Sequence, residues 1–173
     1  QEEFPDIPVF FSNEDFLEYA IRCGRNDLFS QTIEKFDVVI ANPPYVRTQV
    51  LGAKDAQRIA NIFNLSGRID LYHAFLLGIS MVLKPGGLTG VITSNRFMTT
   101  KSGGCVRNAI INEFKILYVW DLGDTQLFEA AVLPSVLLLK RKNGSDTYSI
   151  PGFTSIYSTT ARVEDRVVAN VLD

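Results

Sequence analysis

The chain has 173 residues, of which 46% are hydrophobic, enough to enclose one sizeable core but hardly two independent ones. With 17 Lys and Arg against 19 Asp and Glu, its formal net charge is −2, so a general electrostatic grip on a polyanion is excluded and any nucleic acid has to be held by a local patch or a further domain. Two well-separated cysteines, Cys23 and Cys105, and a single histidine, His73, exclude a disulfide framework and a zinc cluster.

No segment has the basic start and apolar core of a signal peptide, and the longest helical apolar stretch ends at Lys84-Pro85-Gly86-Gly87, so a soluble intracellular chain is the expectation. In chain order, "IPVFF" at 7–11 predicts a short strand and "NEDFLEYAIRCG" at 13–24 a short helix. Residues 36–41 form a compact apolar run broken only by Asp37, the pattern of a parallel strand covered on both faces. Residues 53–65 place Ala56, Ile59, Ala60 and Phe63 at helical spacing, one apolar stripe on a surface helix.

Asp70 stands where it can cap the helix "LYHAFLLGISMVL", which is apolar enough to pack on a sheet, with His73 expected on its surface and Tyr72 and Phe75 in its core. Lys84–Gly87 predicts a turn, and "LTGVIT" at 88–93 a second central strand, in the order of a right-handed parallel unit. "SNRFMTTKSGG" reads as a loop, and 105–114 as a helix with Val106, Ala109 and Ile110 inward. Strands are predicted at 116–123 and 135–142, joined by a loop containing Phe128 that returns the chain antiparallel, with Trp120 as sheet packing. From Asn143 the chain is turn-rich, with a short helix predicted at 161–172. The pattern is that of the later half of an open α/β sheet.

The stretch "FDVVIANPPYVR" carries the chemistry. In an open α/β sheet, ligands bind beyond the carboxyl ends of the strands, and Asn42-Pro43-Pro44-Tyr45 lies at such an end. Two prolines hold the chain extended, so that the Asn42 side-chain oxygen and the Pro43 carbonyl present two fixed acceptors for the hydrogens of a planar amino group. Such a nitrogen is a poor nucleophile because its lone pair is delocalised; acceptors that bind it better as it becomes tetrahedral and positive favour the transition state. Tyr45 can lie against the ring bearing the amino group. The plain alternative is that Pro-Pro ends a strand and Tyr45 covers an edge.

With these residues the chain resembles the amino-group DNA methyltransferases that use S-adenosylmethionine, especially bacterial adenine-modifying subunits and fused restriction-and-modification enzymes. The likeness runs through "DLYHAFLLGISMVLKPGGLTGVITSNRFM", "LYVWDLGDTQLF" and "VLPSVLLLKRK", covering roughly residues 20–142. It implies a partial class I (Rossmann-like) methyltransferase sheet, its later strands closed by an antiparallel hairpin, in a catalytic domain at 1–142. Residues 143–173 would be a linker or the start of a DNA-recognition region. It also implies that Asn42, Pro43, Pro44 and Tyr45 receive a flipped adenine and that Phe128 sandwiches the base. Asp27, Leu28 and Phe29 would contact the adenine end of the cofactor, with Asp15-Phe16-Leu17 as the competing match. Arg96, Lys101 and Arg107 would contact phosphates or ride on the surface.

No FxGxG-like stretch is present, so the resemblance further implies a fragment of a longer bacterial, cytoplasmic polypeptide whose amino-terminal cofactor-binding segment and DNA-recognition domain lie elsewhere. The expected activity of that parent is methyl transfer to the N6 amino group of adenine in double-stranded DNA within a restriction-modification system, the fragment alone being inactive. N4-cytosine methylation, methylation of a protein glutamine and a non-catalytic DNA-binding or assembly module stay open.

Overall fold

The computed structural model describes residues 11–25, 33–45, 52–65, 70–123, 133–144 and 150–156. The strand expected at 7–11, the helix expected at 161–172, Asp27, Leu28, Phe29 and Phe128 lie outside the described residues, apart from Phe11.

Helix α1 (Phe16–Gly24) opens at Asp15, whose carboxylate accepts from the Glu18 N–H at 3.0 Å. Strand β1 (Phe36–Ala41) follows, then α2 (Ala53–Ile62), α3 (Leu71–Val82) and β2 (Leu83–Ser94). A short α4 (Arg96–Thr99) and a 3-10 turn (Lys101–Gly103) lead into α5 (Gly104–Glu113), and β3 (Phe114–Asp121), β4 (Pro134–Arg141) and β5 (Gly152–Ser155) complete the sheet.

The sheet order is β1-β2-β4-β3-β5. Strand β2 is parallel to β1, and β4 runs antiparallel to both of its neighbours, so β1, β2, β3 and β5 all point one way. Their carboxyl ends, Ala41, Ser94, Asp121 and Ser155, share one edge of the sheet. The expected antiparallel return from β3 to β4 is present, and β5, which the turn-rich sequence did not suggest, adds a parallel strand beyond β3.

One face of the sheet carries the helices. Leu17 and Ile21 of α1, Leu76 and Ile79 of α3, and Val106 and Ile110 of α5 form one core with Val91, Leu137 and Leu139 of the strands. Each such fully buried aliphatic side chain stabilises by about 1.5 to 3 kcal/mol. The helices α1 and α3 approach closely at Gly78, where an added Cβ would lie 3.1 Å from Ala20 and from the Phe16 ring. Phe16 stacks on Phe75 at 5.1 Å between centroids.

Five expectations need correction. First, β1 is covered on one face only: Val39 and Ala41 pack into the core, whereas Val38 is 58% and Ile40 87% exposed. The run is apolar on both sides, but among the described residues the helices supply a partner to just one. Second, "SNRFMTTKSGG" is helical: the Arg107 guanidinium donates to the Phe97 and Thr100 carbonyls, and Gly103 lies so close to Phe97 that a Cβ would fall 2.2 Å from its carbonyl oxygen. Third, His73 is only 3% exposed, because α3 is buried on nearly all sides at that level. Fourth, Asp70 occupies the cap position of α3, but its side chain makes no capping bond; its backbone carbonyl accepts from His73 N–H instead. Fifth, the predicted turn at 84–87 is a bulge in β2, where Phe36 pairs with Leu83 and Val38 already with Leu88, and Gly86 takes a φ of 84°.

Candidate functional site

The last ladder pair between β1 and β2 is Ala41 with Val91, and Asn42 is the next residue. Proline lacks the N–H that a continuing strand would donate, so pairing ends here for a covalent reason. Asn42 is exposed, Pro43 buried, Pro44 exposed and Tyr45 half-buried, with no cis peptide bond. Buried Pro43 anchors the corner while its neighbours present themselves outward.

The Tyr45 hydroxyl donates to Asn42 Oδ1 at 3.0 Å. Partial burial holds the phenol above its usual range, so at neutral pH it keeps the proton it donates. An amide oxygen carries two lone pairs, which leaves a second acceptor position on Asn42. The bond restrains the direction of the amide, with its oxygen as the acceptor.

Two further segments reach the same edge. After β2 come Asn95 and exposed Arg96; after β3 come Leu122 and Gly123. Asn95 Nδ2 donates to Asp121 Oδ1 at 2.9 Å, and Gly123 N–H donates to the same oxygen at 3.2 Å. These residues lie in stretches that carry the resemblance, but neither was singled out, since the aspartate sits inside a strand pattern and the asparagine in a polar run.

Lys101 is exposed like Arg96, whereas Arg107 is spent on the carbonyls of Phe97 and Thr100. Tyr72 is buried at 2% exposure, and burial pushes its phenol well above the usual range, so it serves as core. Cys23 is buried and Cys105 half-buried, neither in a disulfide, and Trp120 stacks on Tyr118 within β3 at 4.2 Å. Of the two acids suggested for a cofactor's adenine, Asp15 is the cap of α1, which is the ordinary use of an aspartate at that position. Asp27 lies outside the described residues. Among the described residues there is no cluster suited to a metal ion and no helix long and apolar enough to cross a membrane.

Residues 2–128 match the model of the Eco57I restriction-modification methylase family. The type II methyltransferase M.BanIII of Aneurinibacillus aneurinilyticus is 46% identical over 154 residues, covering 86% of this chain and 27% of that one. The chain therefore spans about a quarter of that relative's length. Among solved structures, a Listeria monocytogenes protein assigned to the class I S-adenosylmethionine-dependent methyltransferases superposes with a TM-score of 0.59 at 20% identity, over 75% of this chain and 39% of the other. The type I restriction-modification methyltransferase subunit of Streptococcus thermophilus superposes with a TM-score of 0.51 at 25% identity, over 77% and 27% of the two chains. The sheet is thus a part of the class I methyltransferase fold, as the sequence implied. The chain belongs to the Eco57I restriction-modification methylase family.

Proposed function

We propose that the polypeptide containing these residues methylates the N6 amino group of adenine in a specific double-stranded DNA sequence, as the modification activity of a bacterial, cytoplasmic restriction-modification system. The observation that carries the reading is the corner at Asn42: an exposed amide whose oxygen is oriented by Tyr45, at the carboxyl end of a strand, in a chain of this family.

An adenine inside a duplex cannot present its amino group to this edge, so the base is flipped out first. Asn42 Oδ1 and the Pro43 carbonyl accept the two amino hydrogens and draw the nitrogen lone pair out of conjugation. Tyr45 lies on one face of the ring and Phe128 on the other, each stacking contact contributing about 1 to 3 kcal/mol. S-adenosylmethionine, when bound, supplies an electrophilic methyl carbon for direct displacement, and Asp27, Leu28 and Phe29 hold its adenine end. No general base is required, because the alkylated nitrogen is acidic and gives up its proton after the bond forms. Among the described residues, exposed Arg96 and Lys101 are cations that could meet backbone phosphates.

In this reading residues 1–142 are part of the catalytic domain and 143–173 lead toward a recognition region. The remaining cofactor-binding segment and the DNA-recognition domain belong to the rest of the polypeptide, without which residues 1–173 are inactive. Incubating the full-length polypeptide with methyl-labelled cofactor and duplexes of varied sequence, then digesting to nucleosides, tests this directly. Label in N6-methyladenine supports it; label only in N4-methylcytosine, or only on a glutamine peptide offered in parallel, contradicts the adenine assignment.

A further inference from the structure

We propose that Asn95 and Asp121 form a clasp across the carboxyl edge of the sheet and act as positioning residues for capture of the target base. The inference rests on the proposed function and deepens it.

Strands β2 and β3 are not neighbours; β4 lies between them, so their ends stand about 10 Å apart at ordinary strand spacing. The clasp bridges that gap. Asn95 donates its main-chain N–H to the Leu133 carbonyl at 2.8 Å and its side-chain amide to Asp121 Oδ1 at 2.9 Å. The same carboxylate oxygen receives Gly123 N–H at 3.2 Å, and Leu122 N–H donates to the Pro134 carbonyl at 3.0 Å. One residue after β2 therefore holds the point where the chain leaves β3 and the point where it enters β4.

The level of the clasp is set by the ladders. Ala41, Val91, Leu137 and Val119 form one row across β1, β2, β4 and β3. Two residues further along, Thr93, Ser135 and Asp121 form the next row on that face, just past the last pairing of β1 at Ala41. Asp121 is 8% exposed, so its carboxylate depends on these donors in place of water. A carboxylate is the stronger acceptor for two converging N–H groups, and Asn95 is a side chain that can donate to it while its own backbone is already in use. Pro134 opens β4 opposite Ser94 with no N–H to donate, and this arrangement supplies polar contacts at that level. Its effect is to hold the end of β3 and the start of β4 in place beside the Asn42 corner, and a displacement of about 1 Å there would cost about a hundredfold in turnover.

The test uses the full-length polypeptide and duplexes with 2-aminopurine at the target position. In Asn95→Asp, two carboxylates face each other and the clasp opens. The expected result is an about tenfold or greater loss of both the fluorescence rise and turnover, with cofactor affinity and duplex affinity unchanged and the thermal midpoint lowered by the buried like charges. The exchanged pair N95D/D121N restores the bond with its direction reversed. The amide introduced at the end of β3 then donates to the carboxylate introduced after β2, while its own oxygen accepts Gly123 N–H, and turnover returns to within about threefold of the unsubstituted level. If Asn95→Asp does not fold, Asn95→Ala carries the same expected loss. Unchanged base capture in the single variants, or no recovery in the exchanged pair, overturns the positioning role. Absence of methyl transfer by the unsubstituted polypeptide overturns the proposed function and the role with it.

Discussion

Tyr45 and Asn42 are joined by a hydrogen bond of 3.0 Å from the phenol to the amide oxygen, so the acceptor of the corner is oriented before any substrate arrives. The tyrosine thus has two separable jobs, a ring to stack and a hydroxyl to aim. Tyr45→Phe keeps the first and removes the second, and should leave the 2-aminopurine response to duplex binding intact while lowering turnover about fivefold, the equivalent of one ordinary hydrogen bond. Tyr45→Ala removes both and should also abolish most of that response. Equal behaviour of the two variants in fluorescence would assign the ring no role.

Gly103 is required by contact rather than by torsion. A Cβ there would sit 2.2 Å from the Phe97 carbonyl oxygen, which is backbone and cannot swing aside. Gly103→Ala should therefore push α4 off α5 and lower stability by about 2 to 4 kcal/mol, with a smaller effect from Gly104→Ala, where the nearest atom is the end of the Arg107 side chain at 3.5 Å. Denaturant midpoints of the two variants measure the difference.

His73 is buried with both ring nitrogens unbonded among the described residues, and burial pushes its pKa down to about 4. Below pH 6.5 the unfolded chain binds a proton that the folded chain refuses until about pH 4. Stability should fall as pH falls across that window, by a total on the order of 3 kcal/mol from this one group. His73→Phe should flatten the slope; an unaltered slope in urea unfolding between pH 7 and pH 5 would show that the imidazole is hydrated.

Much of the frame was legible in the sequence because its elements are long and periodic. The two parallel strands, the apolar helix between them and the antiparallel return from β3 to β4 all lie close to their expected positions. The corner at Asn42 was legible because proline leaves a covalent mark. What escaped was held by distant partners. The helical turns at 96–103 are stitched by Arg107, β5 is four residues that count only beside β3, and the clasp joins residues 26 apart whose types are ordinary for their local settings. The burial of His73 follows from how much of α3 is enclosed, a property of the packing and not of the local pattern.

The bare side of β1 yields a prediction about the longer polypeptide. Ile40 is 87% exposed here and Val38 58%, on the face that the helices leave open. If other residues of the proposed full-length polypeptide cover this face, Ile40→Asp in it should lower stability by about 2 kcal/mol or more, the cost of a desolvated charge. A change within about 0.5 kcal/mol would mean that the face stays in water.

The most direct test of the acceptor corner is single-turnover methyl transfer by Asn42→Ala in the full-length polypeptide, measured beside its duplex affinity. An acceptor for the amino hydrogens whose hold strengthens only as the methyl bond forms should show, when removed, as an about 10²- to 10³-fold loss in the transfer rate with duplex affinity retained. Equal losses in rate and affinity, or an unchanged rate, would contradict the role given to Asn42.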